Sequence, residues 1–162
     1  MASRLERFVP RIPWVQKPRV FLMVPLLATQ IRDGVAGNGV ESVERWEKLE
    51  ADISTFVEKG FVNRSLLKQL DPKKYEHWAM RSVRPRPSLR VFGRFGCPDL
   101  FIGTHAVSRP SLREKWSLEW EIEKLVCEDH WQKAVGDLLP FKGSAYSDYI
   151  TENASEDIRI DP

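Results

Sequence analysis

The chain has 162 residues, of which 42% are hydrophobic and 30% are charged, and its formal net charge is +2. This length suffices for one domain with its own core. No apolar run reaches the roughly 18 residues that a membrane-spanning helix needs, and Cys97 and Cys127 lack the spacing of a zinc site or disulfide scaffold. We therefore expect a cytoplasmic protein with no membrane partner, no metal and no cofactor.

The N-terminal part predicts a basic arm. Residues 1–40 carry six basic against two acidic residues and several prolines. Within this arm, residues 17–27 are apolar enough for a buried strand, which we expect to add an edge to a sheet. The DGVAGNG stretch at 33–39 then predicts a loop.

Two helices are predicted next. The first spans residues 42–59, with Ser42 as its N-cap and Gly60 as its left-handed stop. Its apolar stripe consists of Val43, Trp46, Leu49, Ile53, Phe56 and Val57. The second is shorter and starts from an Asn63 cap. Its apolar face consists of Leu66, Leu67 and Leu70.

Three strands are predicted in the middle of the chain, at residues 75–82, 89–95 and 100–107. The VRPRPS segment connects the first two, since its prolines exclude a helix. A four-residue loop at 96–99 connects the last two. Alternation along each strand and regular pairing between strands then determine which side chains share a face of the sheet.

A long C-terminal helix and a tail complete the chain. Ser111 and Glu114 have the spacing of a capping box. The apolar residues of the helix are Leu118, Ile122, Leu125, Val126, Trp131, Ala134 and Leu138. The remainder is polar, and its expected docking residues are Tyr146, Tyr149 and Ile150.

The predicted fold class is α+β. An antiparallel sheet of three to four strands packs against an amphipathic helix pair, with the long helix at the C-terminal end. The predicted organisation is a basic arm with an edge strand (1–40), an α+β domain (41–139) and an acidic tail (140–162).

Regular pairing predicts that one face of the sheet is basic. An in-register hairpin places Arg90 opposite His105, and it places Leu89, Val91, Leu100 and Ile102 on the core side. Pairing Ser82 with Leu89 places Arg81 beside Arg90 and His77 beside Arg94, with Trp78 and Met80 in the core. The opposite face then carries His77, Arg81, Arg90, Phe92, Arg94, Phe101 and His105.

This face predicts contact with nucleic acid. Residues 75–115 carry +5 and residues 116–162 carry −7, so an anion or the acidic segment is needed to offset the clustered cations. Arginine binds phosphate in a bidentate fork, and aromatic rings stack on bases. The candidate nucleic-acid-binding residues are Arg94, Phe92, Phe101, His77, Arg84 and Arg86. The alternative is a solvated face whose arginine stems cover the rings.

The order of these segments resembles the toxins of the RelE/HigB superfamily over about residues 42–135. The three strand motifs of that family correspond here to residues 76–81 (EHWAMR), 89–95 (LRVFGRF) and 100–109 (LFIGTHAVSR). The resemblance implies an α+β domain that cleaves mRNA without a metal, free or on the ribosome. It implies that Arg81 and Arg90 clamp phosphate and that His105 is the general acid or base. It also implies that Arg109 stands where the family has a lysine.

Two functional hypotheses remain open from the sequence. One is an RNA-binding, toxin-like protein whose partners are RNA or the ribosome and a cognate antitoxin. The other is a non-catalytic phage or mobile-element protein that binds and inhibits a nucleic-acid-processing complex, which the −7 of residues 116–162 favours. Whether the protein is an enzyme is therefore open, and a metal-independent endoribonuclease is the activity that we consider.

Overall fold

A six-stranded sheet organises the fold in a computed structural model, which describes residues 5–12, 15, 17–34 and 43–157. The strands are β1 (Glu6–Arg7), β2 (Val20–Met23), β3 (Leu67–Gln69), β4 (Trp78–Ser82), β5 (Leu89–Cys97) and β6 (Leu100–Ser108). The helices are α1 (Pro25–Asp33), α2 (Val43–Val57), α3 (Leu118–Val135) and α4 (Tyr146–Tyr149). Within the described ranges, no helix has the length and apolar composition needed to cross a bilayer.

The strand order is β1-β2-β6-β5-β4-β3. Strand β2 runs parallel to β6, and the other neighbouring strands are antiparallel. The α+β class is thus confirmed, whereas the prediction of a purely antiparallel sheet of three to four strands was wrong. Two of the additional strands come from the N-terminal part, where β1 forms the edge and β2 lies one strand inside it.

Strand β3 replaces the predicted short second helix. The Asn63 side chain accepts a hydrogen bond from the backbone N–H of Ser65 (2.9 Å) and so stabilises a turn where the cap of a helix was expected. Leu67 then pairs with Met80 of β4 and is fully buried. Leu66 and Leu70 are only partly buried, so the three leucines do not form the common apolar face that a helix was expected to present.

Helix α1 was not predicted. The strand expected over residues 17–27 ends at Met23, and Pro25 opens a helix, since its fixed backbone angle suits the first helical turn. Gly34, with φ +67°, ends α1 in the left-handed conformation. The DGVAGNG loop lies mostly outside the described residues.

Helix α2 covers one face of the sheet, as its apolar stripe predicted. Trp46, Leu49, Ile53, Phe56 and Val57 are all buried there, whereas Val43 is exposed. The left-handed residue after the helix is Lys59 (φ 63°) instead of Gly60. The predicted cap, Ser42, lies outside the described residues. The main core between α2 and the sheet includes Trp78, Met80, Leu89 and Val91.

The hairpin of β5 and β6 differs in register from the prediction. Its turn contains only Pro98 and Asp99, because Cys97 pairs with Leu100. Two irregularities, at Phe92/Gly93 and at Phe95/Cys97, then shift the pairing along the ladder. A Cβ atom at Gly93 would collide with the carbonyl oxygen of Ile102 and the ring of Phe101, so this close approach requires glycine.

These shifts reverse the faces of several residues. His105 keeps its predicted face but pairs with Phe92 and not with Arg90, which pairs with Val107. Phe101, predicted on the basic face, lies in the main core. Leu100 and Ile102, predicted in the core, pack on the opposite face near Trp131. The physical reason is that each bulge adds one residue to one strand and so exchanges inward and outward positions beyond it.

Helix α3 covers the opposite face of the sheet, but with an unexpected side. It begins at Leu118 after Ser117, whereas Ser111 lies in a separate 3-10 helix, Arg109–Leu112. Of its predicted apolar stripe, Leu118, Ile122 and Leu125 are exposed. Its buried residues are Lys124, Cys127 and Trp131. The side that faces the sheet therefore combines Lys124 with the apolar Cys127 and Trp131, of which Trp131 belonged to the predicted stripe.

The C-terminal segment docks as predicted. Tyr149 and Ile150 are buried, and Tyr146 packs against the main core. The Tyr146 hydroxyl donates to the carbonyl oxygen of Leu67 (2.7 Å). Glu152 forms an ion pair with Lys59 at 3.2 Å. This segment therefore lies along the α2 side of the molecule.

Candidate anion-binding site

A row of cationic side chains lies on the sheet face that α3 covers. The register of β4 and β5 places Arg81 directly opposite Arg90, as predicted, because this pair of strands has no bulge. His77 also lies beside Arg94, with 3.4 Å between His77 Nε2 and Arg94 Nη2. The predicted basic character of this face is therefore present on β4 and β5.

Two carboxylates of helix α3 contact one half of this face. Glu128 Oε1 lies 3.0 Å from His77 Nε2 and 3.6 Å from Arg94 Nη2. Glu123 Oε2 lies 2.9 Å from His105 Nε2. Because His77, Arg94 and His105 are all buried, these carboxylates already take the place of an external anion.

The surroundings of His105 leave it little chemical freedom. Its Nδ1 lies 2.9 Å from Thr104 Oγ1, and its Nε2 contacts Glu123, so both ring nitrogens are occupied. The ring stacks on Phe92 with an interplanar angle of 17°. With 3% of the residue exposed, His105 is positioned to hold α3 against the sheet.

The pKa of His77 reflects the same burial. Burial, followed by the charges of Arg94 and Lys124, lowers the pKa of His77 to about 4. At neutral pH the ring is therefore uncharged, and its Nε2–H donates to Glu128.

The other half of the basic face forms no ion pair with a carboxylate of α3 within the described residues, and it lines a cavity of about 220 Å³. Its walls come from β3, β4, β5, the 3-10 helix after β6, and the start of α3. Its cationic lining residues are Lys68, Arg81, Arg90, Arg109, Lys115 and Lys124. Asp71 is the acidic residue of the lining. Six cations against one carboxylate make this a strongly positive cavity.

Three guanidinium groups form its least compensated part. Arg81, Arg90 and Arg109 form no ion pair with any described residue. They donate instead to backbone carbonyl oxygens, Arg90 to Leu89 at 3.2 Å and Arg81 to Arg64 at 3.3 Å. Each guanidinium has five N–H donors, so most of its hydrogen-bonding capacity remains available.

These cations lie close enough together to lower one another's pKa values. Burial, followed by Arg81 and Arg109, lowers the pKa of Arg90 to about 10. Burial, followed by Lys115 and then Arg81, likewise lowers the pKa of Lys68. With a pKa of about 10, Arg90 remains protonated at neutral pH, so an anion entering the cavity would relieve the repulsion that its neighbours exert on it.

Two tryptophans complete the cavity and have different surroundings. The Arg109 guanidinium lies 5.5 Å from the ring centroid of Trp120, so Trp120 positions this arginine. Trp116 is 61% exposed at the outer end of the lining, with Lys115 Nζ 5.4 Å from its ring. A large exposed ring beside cations is suited to stacking on a planar group.

The structure separates the sequence-predicted residues into groups. Arg81, Arg90 and Arg109 come together in the cavity. His77, Phe92, Arg94 and His105 lie buried beneath α3, and Phe101 lies in the main core. Arg84 and Arg86 are exposed on the connection between β4 and β5, and neither lines the cavity.

Sequence reasoning missed Lys68, Lys115, Trp116, Trp120 and Lys124. The adjacent Lys115 and Trp116 were a usable signal, because basic and aromatic residues interleave there directly after Arg109 and Arg113. Lys68 and Lys124 carried no such signal. Their positions depend on β3, which was predicted as a helix, and on the orientation of α3.

The chain matches no protein-family model, no curated protein and no solved structure. The resemblance to RelE/HigB toxins therefore stays a prediction. The described residues also contain no group of three or more His, Cys, Asp or Glu side chains that could hold a metal ion. The cavity itself is thus the basis for a functional argument.

Proposed function

We propose that this protein binds single-stranded RNA through the cationic cavity. Arg81, Arg90 and Arg109 contact a phosphate group, and Trp116 stacks on a neighbouring base. The observation that carries the proposal is the convergence of three guanidiniums that have no carboxylate partner among the described residues. Charge-assisted bonds from arginine to phosphate are among the stronger hydrogen bonds in proteins.

The exposed tryptophan favours a single strand. Bases in a duplex are stacked on each other and present only their edges, whereas unpaired bases can stack on an aromatic side chain. Such stacking contributes about 1–3 kcal/mol per base. Trp116 lies next to the cations, so one nucleotide can contact both kinds of group.

The proposal is binding without a cleavage step. His105, the strand residue that sequence reasoning selected to transfer a proton, is buried against Glu123 and does not line the cavity. The cavity lining contains no histidine and one carboxylate, Asp71, within the described part of the chain. Arginines at neutral pH bind and orient a phosphate but do not act as bases.

A binding measurement tests the proposal. A fluorescent single-stranded RNA of roughly ten nucleotides is titrated with the wild type, Arg81→Gln and Arg109→Gln at several salt concentrations. We expect each substitution to weaken binding by about 10- to 100-fold, the range for a lost hydrogen bond to a charged group. The dependence of log K on log salt should also become less steep, by about 0.7 per lost phosphate contact.

Arg32→Gln is the matched control. Arg32 is an exposed arginine of α1 that does not line the cavity, and its substitution removes the same charge. Wild-type affinity in this variant would separate a local effect of the cavity from a general effect of net charge. Equal losses in the control and cavity variants, or affinity that is independent of salt, would contradict the proposal.

A further inference from the structure

The shape of the cavity favours the end of an RNA strand as its ligand over a segment in the middle of one. It draws its lining from a buried arginine on a central strand at one extreme and from an exposed tryptophan at the other. Arg90 is 7% exposed and Trp116 is 61% exposed, so the lining runs from the interior to the surface. Ala79, also buried, lies beside Arg90 in the lining. An RNA strand that continued on both sides of the bound phosphate would need a groove that is open along its whole length.

The size of the cavity agrees with this reading. Its volume of about 220 Å³ lies below the roughly 300–1,000 Å³ of pockets that enclose whole drug-sized ligands. It therefore has room for one small charged group, with the rest of the ligand outside. The exposed ring of Trp116 is the part of the lining that such an outer portion would contact.

The number of cationic side chains in the lining indicates how much negative charge the bound phosphate carries. An internal phosphodiester carries one negative charge, whereas a terminal phosphomonoester carries about −1.5 to −2 at neutral pH and has three free oxygens. Three guanidiniums without carboxylate partners, together with Lys68 and Lys115, match the terminal group better. Lys124 is partly satisfied already, since its Nζ lies 2.7 Å from the carbonyl oxygen of Asp71 and 2.9 Å from Glu121.

We propose that the cavity is a receptor for the terminal phosphate of a single-stranded RNA. Arg90 contacts the phosphate at the inner end, Arg81 and Arg109 contact it from two sides, and Trp116 stacks on the terminal base. This inference rests on the proposed RNA-binding function and names the part of the RNA that is recognised. A 5′ and a 3′ phosphate share this chemistry.

The experiment compares RNAs of one sequence that differ only at their ends: unphosphorylated, 5′-phosphorylated and 3′-phosphorylated. We expect one phosphorylated form to bind at least about tenfold more tightly than the unphosphorylated RNA. The other form should resemble the unphosphorylated RNA, which identifies the end that enters. Inorganic phosphate and a nucleoside monophosphate serve as competitors, and a free nucleotide that binds more tightly than any RNA would overturn the inference.

The pH dependence of this preference provides a second signature. The second ionisation of a phosphomonoester lies near pH 6, whereas a phosphodiester does not titrate there. The preference for the phosphorylated end should therefore increase as the pH rises from about 5.5 to 7.5. A preference that stays constant over this range would contradict recognition of the dianion.

Arg90→Gln connects the preference to the cavity. The ratio of affinities for phosphorylated and unphosphorylated RNA should fall toward one, while Arg32→Gln keeps the wild-type ratio. If Arg90→Gln does not fold, the same ratio in Arg109→Gln decides, because Arg109 is only partly buried. Equal affinity for all three RNAs overturns the inference and leaves RNA binding in place, whereas failure to bind any of them overturns both.

Discussion

Replacing Phe101 by alanine is expected to lower the free energy of unfolding by about 3–5 kcal/mol. Phe101 is fully buried in the main core. Its ring centroid lies 5.4 Å from that of Phe21, 5.3 Å from Phe95 and 6.5 Å from Phe56. Truncation removes these contacts and leaves a cavity that the three surrounding rings cannot close fully. Urea denaturation of the wild type and the variant measures the loss.

Two further variants test whether the loss of stability comes from the volume of the buried Phe101 ring. Phe101→Leu retains most of the volume and should cost much less, while Val43→Ala, at an exposed site on α2, should stay within about 0.5 kcal/mol of the wild type. RNA affinity should not change in Phe101→Leu. If alanine at position 101 left stability intact and weakened RNA binding instead, the regular register with Phe101 on the basic face would be right after all.

Local periodicity was sufficient for the parts of the fold in which it is undisturbed. The apolar stripe of α2 predicted both the helix and its buried side, since a stripe of this spacing packs on an apolar sheet face. Pairing across the VRPRPS connection placed Arg81 beside Arg90 correctly, because β4 and β5 pair without a bulge. Two of the three arginines in the candidate site could thus be placed together from sequence.

The hairpin of β5 and β6 failed for a reason that the sequence contains. Gly93, Gly96 and Gly103 interrupt the two strands, and glycine inside a strand marks a bulge or a close backbone approach. Regular alternation was nevertheless assumed through Gly93 and Gly103, and Gly96 was assigned to the loop. Each bulge changes which side chains share a face, so Phe101 and Ile102 exchanged faces between the two bulges. Beyond the second bulge the shifts cancel, so His105 kept its predicted face and only its pairing partner was wrong.

The orientation of α3 was predicted wrongly because the sheet face that it covers is only partly apolar. The rule that an apolar stripe faces inward assumes a hydrophobic sheet face. Here the sheet presents His77, Arg94 and His105, and α3 turns Glu123 and Glu128 toward them. The parallel pairing of β2 with β6 was beyond local patterns for another reason, since it joins segments about 80 residues apart, as in the pair Phe21 and Phe101.

The attachment of α3 should make stability depend on pH. The pKa of His77 is about 4 in the folded protein, because burial and then Arg94 and Lys124 disfavour its protonated form. Its ordinary value is 6.5. Between these values the unfolded chain binds more protons than the folded one, so this contribution is fully present above pH 6.5 and is lost as the pH falls toward 4. The loss is on the order of 3 kcal/mol.

His77→Gln isolates this contribution from the other titrating groups. Glutamine retains a donor toward Glu128 but carries no charge at any pH, so the variant should lack the part of the acid destabilisation that His77 causes. The free energy of unfolding of both proteins, measured by urea denaturation from about pH 4 to 7.5, gives the difference. The wild type should lose on the order of 3 kcal/mol more than the variant across this range. If the free energy of unfolding changed with pH equally in both proteins, the His77 ring would be protonated as easily in the folded as in the unfolded protein. Burial beneath α3 would then not keep it neutral.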